Sequence, residues 1–229
     1  MGKVYTAKEK GLPDERRVLV LGATGSREPG TVHSKERAIS FFDLKGDVEQ
    51  VLSDFDLPGL TFEPFQVEYF EEGLAGGFLV AERVIATLGR LKEELARGYK
   101  LRQAVWVAEF DLDALLRAPL NQKSFKPISK FPPVERDFSL VVPCSTSYGR
   151  LQETIRGLGI EDIKSMKPVE RRSSDELPEG TIPAGHASLL LRITFQSPTR
   201  TLEGDEIELQ SRRIVDALEP LGVQIRAQG

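Results

Sequence analysis

Few side chains in this 229-residue chain have the type and spacing that chemistry needs. Leu21-Gly22-Ala23-Thr24-Gly25-Ser26 has the glycine pattern of a turn that lets backbone approach a pyrophosphate. Such a site also needs a helix whose N-terminus meets the phosphates directly after the glycines. Glu28-Pro29-Gly30 follows instead, and no amphipathic pattern starts before Asp43. The stretch reads as a strand running out into a loop. His33 and His186 have no Cys, His or paired carboxylate at metal-ligand spacing, and both read as solvated loop residues. Cys144 has no histidine within easy sequence reach to activate a thiolate. Asp111 and Asp113 stand two apart where a strand gives way to a helix, a spacing that suits a cation or helix capping equally. No catalytic residue, metal ligand or cofactor is expected in this chain.

The remaining chemistry is cationic. Lys123, Lys126, Lys130 and Arg136 run among prolines, beside Phe125 and Phe131. Arg192, Arg200, Arg212, Arg213 and Arg226 add positive groups downstream. The functional reading is a phosphate-contacting patch. The bland reading is an ordinary solvated surface, because Glu135, Asp137 and Glu203 are interleaved. Composition alone favours the bland reading. Net charge is −4, against nonspecific coating of nucleic acid. Residues 122–229 hold 15 Lys and Arg against 15 Asp and Glu, so any polyanion contact there needs a local patch. A single cysteine closes no internal disulfide, which points to a reducing, cytoplasmic location. No run approaches the roughly 18 apolar residues of a membrane span.

The elements that must position these groups fall in two halves, divided by a proline-punctuated stretch at residues 118–133. In residues 1–121, Val18 to Leu21 read as a buried strand, and a polar loop reaches Ser40. Asp43 then caps a helix with Leu44, Val48, Val51, Leu52 and Phe55 on one face. Residues 60–70 read as extended, and Gly76-Gly77 as a turn between strands. Residues 82–88 and 104–110 read as further strands, with a short helix at 92–97. The sum is an α+β layer on an antiparallel sheet. In residues 122–229 the order is strand, helix, strand, strand, helix, strand. Phe138, Leu140 and Val142 alternate in the first strand; Leu189, Leu191, Ile193 and Phe195 alternate in the third. Ser145 or Ser147 caps the first helix, with Tyr148, Leu151, Ile155 and Leu158 on one face. Residues 160–169 form the second strand, and residues 171–185 a mobile polar excursion. The second helix holds Ile207, Ile214, Val215 and Leu218. This is the ferredoxin-like βαββαβ order.

Residues 125–142, centred on Pro132-Pro133-Val134-Glu135-Arg136-Asp137, strongly resemble the opening of the C-terminal anticodon-binding domain of bacterial phenylalanyl-tRNA synthetase β subunits. Residues 188–202 and Arg212-Arg213-Ile214-Val215 resemble the same domain. Phe41-Phe42-Asp43-Leu44-Lys45-Gly46, Leu88-Gly89-Arg90-Leu91 and Glu109-Phe110-Asp111-Leu112-Asp113 resemble the end of that subunit's catalytic-like module. The resemblance implies a C-terminal fragment of a β subunit that pairs with a catalytic α subunit as (αβ)2. ATP and magnesium would belong to the holoenzyme, and the fragment alone would be inactive. tRNA(Phe) would be the RNA partner, with Lys126, Lys130, Arg136, Arg192, Arg200 and Arg213 as the expected contacts. Residues 171–185 depart from the family, which has a shorter, aromatic-bearing connection there. With Phe138 and Phe195 on the apolar register, the outward set is Asp137, Ser139, Val141, Arg192, Thr194 and Gln196. Phosphate and shape contacts are then expected rather than base stacking. The competing readings are a dinucleotide enzyme built on Gly22 and Gly25, and a ferredoxin-like regulatory domain that binds an amino acid.

Overall fold

The computed structural model describes residues 1–8, 11–122, 125, 127–178 and 180–226. Residue contacts separate the chain into two compact units, Met1–Ser124 and Phe125–Gly229, each with its own core.

In the first unit, strands β1 (Gly2–Thr6), β2 (Asp14–Thr24), β3 (Ser26–Glu28) and β4 (Arg37–Ala38) precede helix α1 (Phe41–Leu52). Strands β5 (Thr61–Pro64), β6 (Phe70–Val80) and β7 (Arg83–Leu91) follow. Helix α2 (Glu93–Gly98), strand β8 (Val105–Asp111) and one-turn helix α3 (Leu112–Leu115) complete the unit. Six strands make an antiparallel sheet in the order β1-β2-β8-β7-β6-β5, and β3 pairs with β4 in a separate ribbon. Helix α1 buries Leu44, Val48 and Leu52, spaced i, i+4, i+8, in a core with Phe78, Leu88, Ala108 and Phe110. Truncating a residue as buried as Leu88 to Ala costs about 2–5 kcal/mol. Trp106 belongs to this core, and its indole N–H donates to the Ile39 carbonyl at 3.1 Å.

Four local readings of this unit change. Asp43 is not the cap: Ser40 is, and the Asp43 carboxylate accepts from the Ser40 N–H at 2.8 Å, so the helix starts earlier. The polar loop before it contains the β3–β4 ribbon, held by Arg37, which donates to Glu28 at 3.0 Å and to Asp43 at 2.8 Å. Gly76 and Gly77 are not a turn but lie inside β6. A Cβ on Gly76 would lie 2.2 Å from Phe62 Cζ, and one on Gly77 would lie 3.1 Å from Phe65 Cβ, so the glycines make room for aromatic rings. The turn is Ala81-Glu82, both at positive φ, between the paired Val80 and Arg83. Residues 60–70 are extended only at β5, because the chain leaves the sheet after Pro64.

In the second unit the order is β9 (Val134–Pro143), α4 (Tyr148–Gly157), β10 (Ile163–Ser173), β11 (His186–Phe195), α5 (Gly204–Leu218) and β12 (Gln224–Ile225). Short 3-10 turns lie at Ser174–Glu176 and Glu219–Leu221. The sheet runs β10-β11-β9-β12, all antiparallel, which is the 4-1-3-2 arrangement of a ferredoxin-like fold. Burial alternates strictly along β11, so Leu189, Leu191, Ile193 and Phe195 face the helices. Leu151 and Ile155 of α4, with Ile207, Ile214 and Leu218 of α5, complete that core. Ser147 caps α4 by accepting from the Arg150 N–H, and Gly159 takes a positive φ just past its end. The second strand is longer than its apolar pattern suggested. Arg171, Arg172 and Ser173 pair with Leu189, Ser188 and Ala187, so the excursion begins only after Ser173. His186, read as a loop residue, opens β11.

Candidate nucleic-acid interface

The residues singled out for catalytic or metal chemistry have ordinary structural roles. Leu21 to Thr24 pair antiparallel with β8, and Gly25, at positive φ, leads into β3 rather than a helix. The geometry that a pyrophosphate needs is therefore missing there. Asp111 accepts from the Ala114 N–H as the cap of α3, and from Arg83 at 2.6 Å. Asp113 accepts from the backbone and side chain of Arg17, at 2.8 and 2.7 Å, and those donors hold its carboxyl below the usual range. Cys144 is exposed and free. His33 is exposed, and the His186 ring is close to the Ala184 carbonyl. Among the described residues no group of three His, Cys, Asp or Glu could hold a metal ion.

The expected RNA-contacting cations are scattered rather than gathered. Lys126 lies outside the described residues. Lys130 is exposed before β9, in a segment tied to the sheet through Ser129, whose hydroxyl donates to the Ser197 carbonyl at 2.8 Å. Arg136 is exposed on the helix side of β9, opposite the fully buried Ile193 in register, near Asp205 and Glu208 of α5. Arg192 lies on the open face, where it grips Asp137 through two bonds of 2.7 Å and approaches Glu135 at 3.4 Å. That pairing raises the Arg192 pKa and lowers that of Asp137. Arg200 makes a second two-bond pair, with Glu206, at 2.6 and 2.8 Å. Arg213 donates to Gln210 at 2.8 Å and to the Leu158 carbonyl at 3.2 Å, joining α5 to the end of α4. Three of the six are thus committed to protein acceptors.

The open sheet face presents Glu135, Asp137 and Ser139 from β9, Ser188, Leu190, Arg192 and Thr194 from β11, and Ser165, Lys167, Glu170 and Arg172 from β10. None is aromatic; Phe138 and Phe195 lie in the core. Val141, expected outward, is buried at 7% exposure, because Ser188 and the short strand β12 flank it. Edge strand β10 holds a cationic set that the sequence reading passed over: Lys164, Lys167, Arg171 and Arg172, against the single acid Glu170. Arg172 pairs with Glu170, and Lys164 donates to neutral Gln196 at 2.6 Å. Among the described residues, Lys167 and Arg171 form no ion pair. The signal lies in the sequence, but Arg171 and Arg172 fall in the polar run that reads as the excursion.

Two family models match this chain. Residues 1–112 match the phenylalanyl tRNA synthetase beta chain CLM domain, and residues 129–226 match the ferredoxin-fold anticodon binding domain. Between them they cover nearly all of it. The chain belongs to the phenylalanine–tRNA ligase β subunit family. It is 30% identical over 216 residues to the β subunit of Symbiobacterium thermophilum, covering 94% of this chain and 24% of that protein. It is 27% identical over 227 residues to that of Geobacter metallireducens, covering 98% of this chain and 28% of the relative. The β subunit of Acinetobacter baylyi is 30% identical over 201 residues, or 88% of this chain and 24% of that protein. The chain therefore spans about a quarter of the length of these relatives. Among the described residues, no helix is long and apolar enough to cross a membrane.

Proposed function

We propose that this chain is the part of a phenylalanine–tRNA ligase β subunit that holds tRNA(Phe) near its anticodon stem. Residues 122–229 are the RNA-binding module, and residues 1–121 are a non-catalytic part of the synthetase-like module. The observation that carries this reading is the complete 4-1-3-2 ferredoxin-like sheet, with one face open, in the region matched by an anticodon-binding model. That face lacks aromatic side chains among the described residues, so it offers hydroxyls and cations to backbone phosphates rather than rings to bases. Cations without a carboxylate partner among the described residues, such as Lys130 and Arg136, are free to act at once; Arg192 and Arg200 must first leave Asp137 and Glu206.

In this reading the activity belongs to a cytoplasmic (αβ)2 assembly whose α subunit binds ATP and magnesium. This reading assigns the chain a binding role and places the reaction steps on the partner subunit. Electrophoretic mobility of tRNA(Phe) and of an unrelated tRNA, with salt varied, tests the RNA-binding role. A salt-sensitive shift with this chain is expected. No shift at low salt would overturn it.

A further inference from the structure

We propose that the β10 edge of the second unit carries the backbone phosphates of the bound tRNA, with Lys164, Lys167 and Arg171 as the contacting residues. This rests on the RNA-binding reading above and names the surface that serves it. The second unit has 14 Lys and Arg against 15 Asp and Glu, yet β10 holds four cations and one acid. Arg172 satisfies that acid, which leaves three positive groups without a carboxylate among the described residues. Nowhere else in this unit does one element of the described residues hold three such groups. They span eight residues, roughly 25 Å of extended strand, and straddle its edge, with Lys167 on the open face beside Arg192 and Arg171 on the helix side beside Leu189.

The strand is accessible. It is the outer member of the sheet, so its outward N–H and C=O groups have no sheet partner. A groove of about 630 Å³, floored by Ile155, Ile163 and Met166, separates it from α4. Arg156 and Lys164 line that groove together with the single acid Glu161, so its rim keeps a net positive charge. Opposite Lys167 in register stands Arg192, which Asp137 and Glu135 hold in place on the open face. A phosphate entering from the edge therefore meets Lys167 first.

Charged edges also discourage strand pairing between molecules, and lysine is favoured for that purpose. The two roles separate experimentally. The full 229-residue chain and its Lys164→Gln/Lys167→Gln/Arg171→Gln variant are titrated with labelled tRNA(Phe), and with an unrelated tRNA, across a salt series. The expected result is binding weakened about tenfold at low salt, equally for both RNAs, with the slope of log affinity against log salt reduced by about two to three. Circular dichroism checks the fold. Lys167→Gln alone should lower the slope by about one, and Lys164→Arg/Lys167→Arg should bind like the parent. If the parent binds and the triple variant binds equally well, the edge proposal fails while the RNA reading stands. Self-association of the variant without loss of RNA affinity would assign these residues to edge protection. A larger loss in a Lys130→Gln/Arg136→Gln variant would move the contact to the helix side of β9. A parent that binds neither RNA would remove both readings.

Discussion

Arg192 shows why a cation in a sequence is not yet a phosphate ligand. Its guanidinium is held by Asp137 through two short bonds, and the donated hydrogen bonds lower the Asp137 pKa. The pair's contribution is complete above the unfolded carboxylate value of about 3.9 and disappears as pH falls through the lower folded value. Between pH 5 and 8 Asp137 stays charged, so tRNA affinity should not change over that range through this group. Asp137→Asn should release Arg192 and steepen the salt slope of tRNA binding by about one. A salt titration of the variant reads this directly, and an unchanged slope would mean that Arg192 does not reach the RNA. The types of Lys130, Arg136 and Arg192 were plain in the sequence. Their allegiance was not, because Asp137 lies opposite Arg192 only through the β9–β11 register. Arg213 is a similar case: its link to the Leu158 carbonyl crosses 55 residues and leaves no local trace.

Amphipathic helices and alternating strands were readable wherever one face is buried. Leu44, Val48 and Leu52 on α1 and the alternation on β11 are the clearest examples. Elements held by the ladder rather than by burial escaped notice. Strand β1, Gly-Lys-Val-Tyr-Thr, is mostly exposed and is held by its pairing with β2. The hairpin between β6 and β7 misleads in both directions, with glycines inside the strand and none at the turn. Gly89 is crowded too: an added Cβ would lie 2.6 Å from the Phe70 ring and 3.0 Å from the Leu74 carbonyl oxygen. Gly89→Ala should therefore destabilise the first unit by about 1–3 kcal/mol in urea denaturation. Conversely, Ala81 and Glu82 hold φ of 47° and 67°, which L side chains rarely adopt. Ala81→Asn with Glu82→Gly matches the preferred two-residue hairpin turn and should raise stability by about 0.5–1 kcal/mol. A lower urea midpoint for that double variant would contradict the turn geometry.

The buried residues of the two cores come from separate stretches of chain, one from residues 44–115 and the other from residues 138–223. Residues 125–229 expressed alone should therefore unfold cooperatively, and loss of the transition by circular dichroism would contradict an independent core. In the proposed assembly the activating chemistry belongs to the α subunit. Phenylalanine-dependent exchange between ATP and pyrophosphate should accordingly be absent from the 229-residue chain, provided host ligase has been removed. The single tryptophan bears on both experiments. Trp106 is anchored to Ile39 in the core of the first unit, and the second unit has Tyr148 but no indole. Red-edge excitation thus makes the first unit luminous and leaves the second dark. Emission during a tRNA titration reports only on the first unit: a steady signal beside a clear mobility shift would locate the RNA on the dark one.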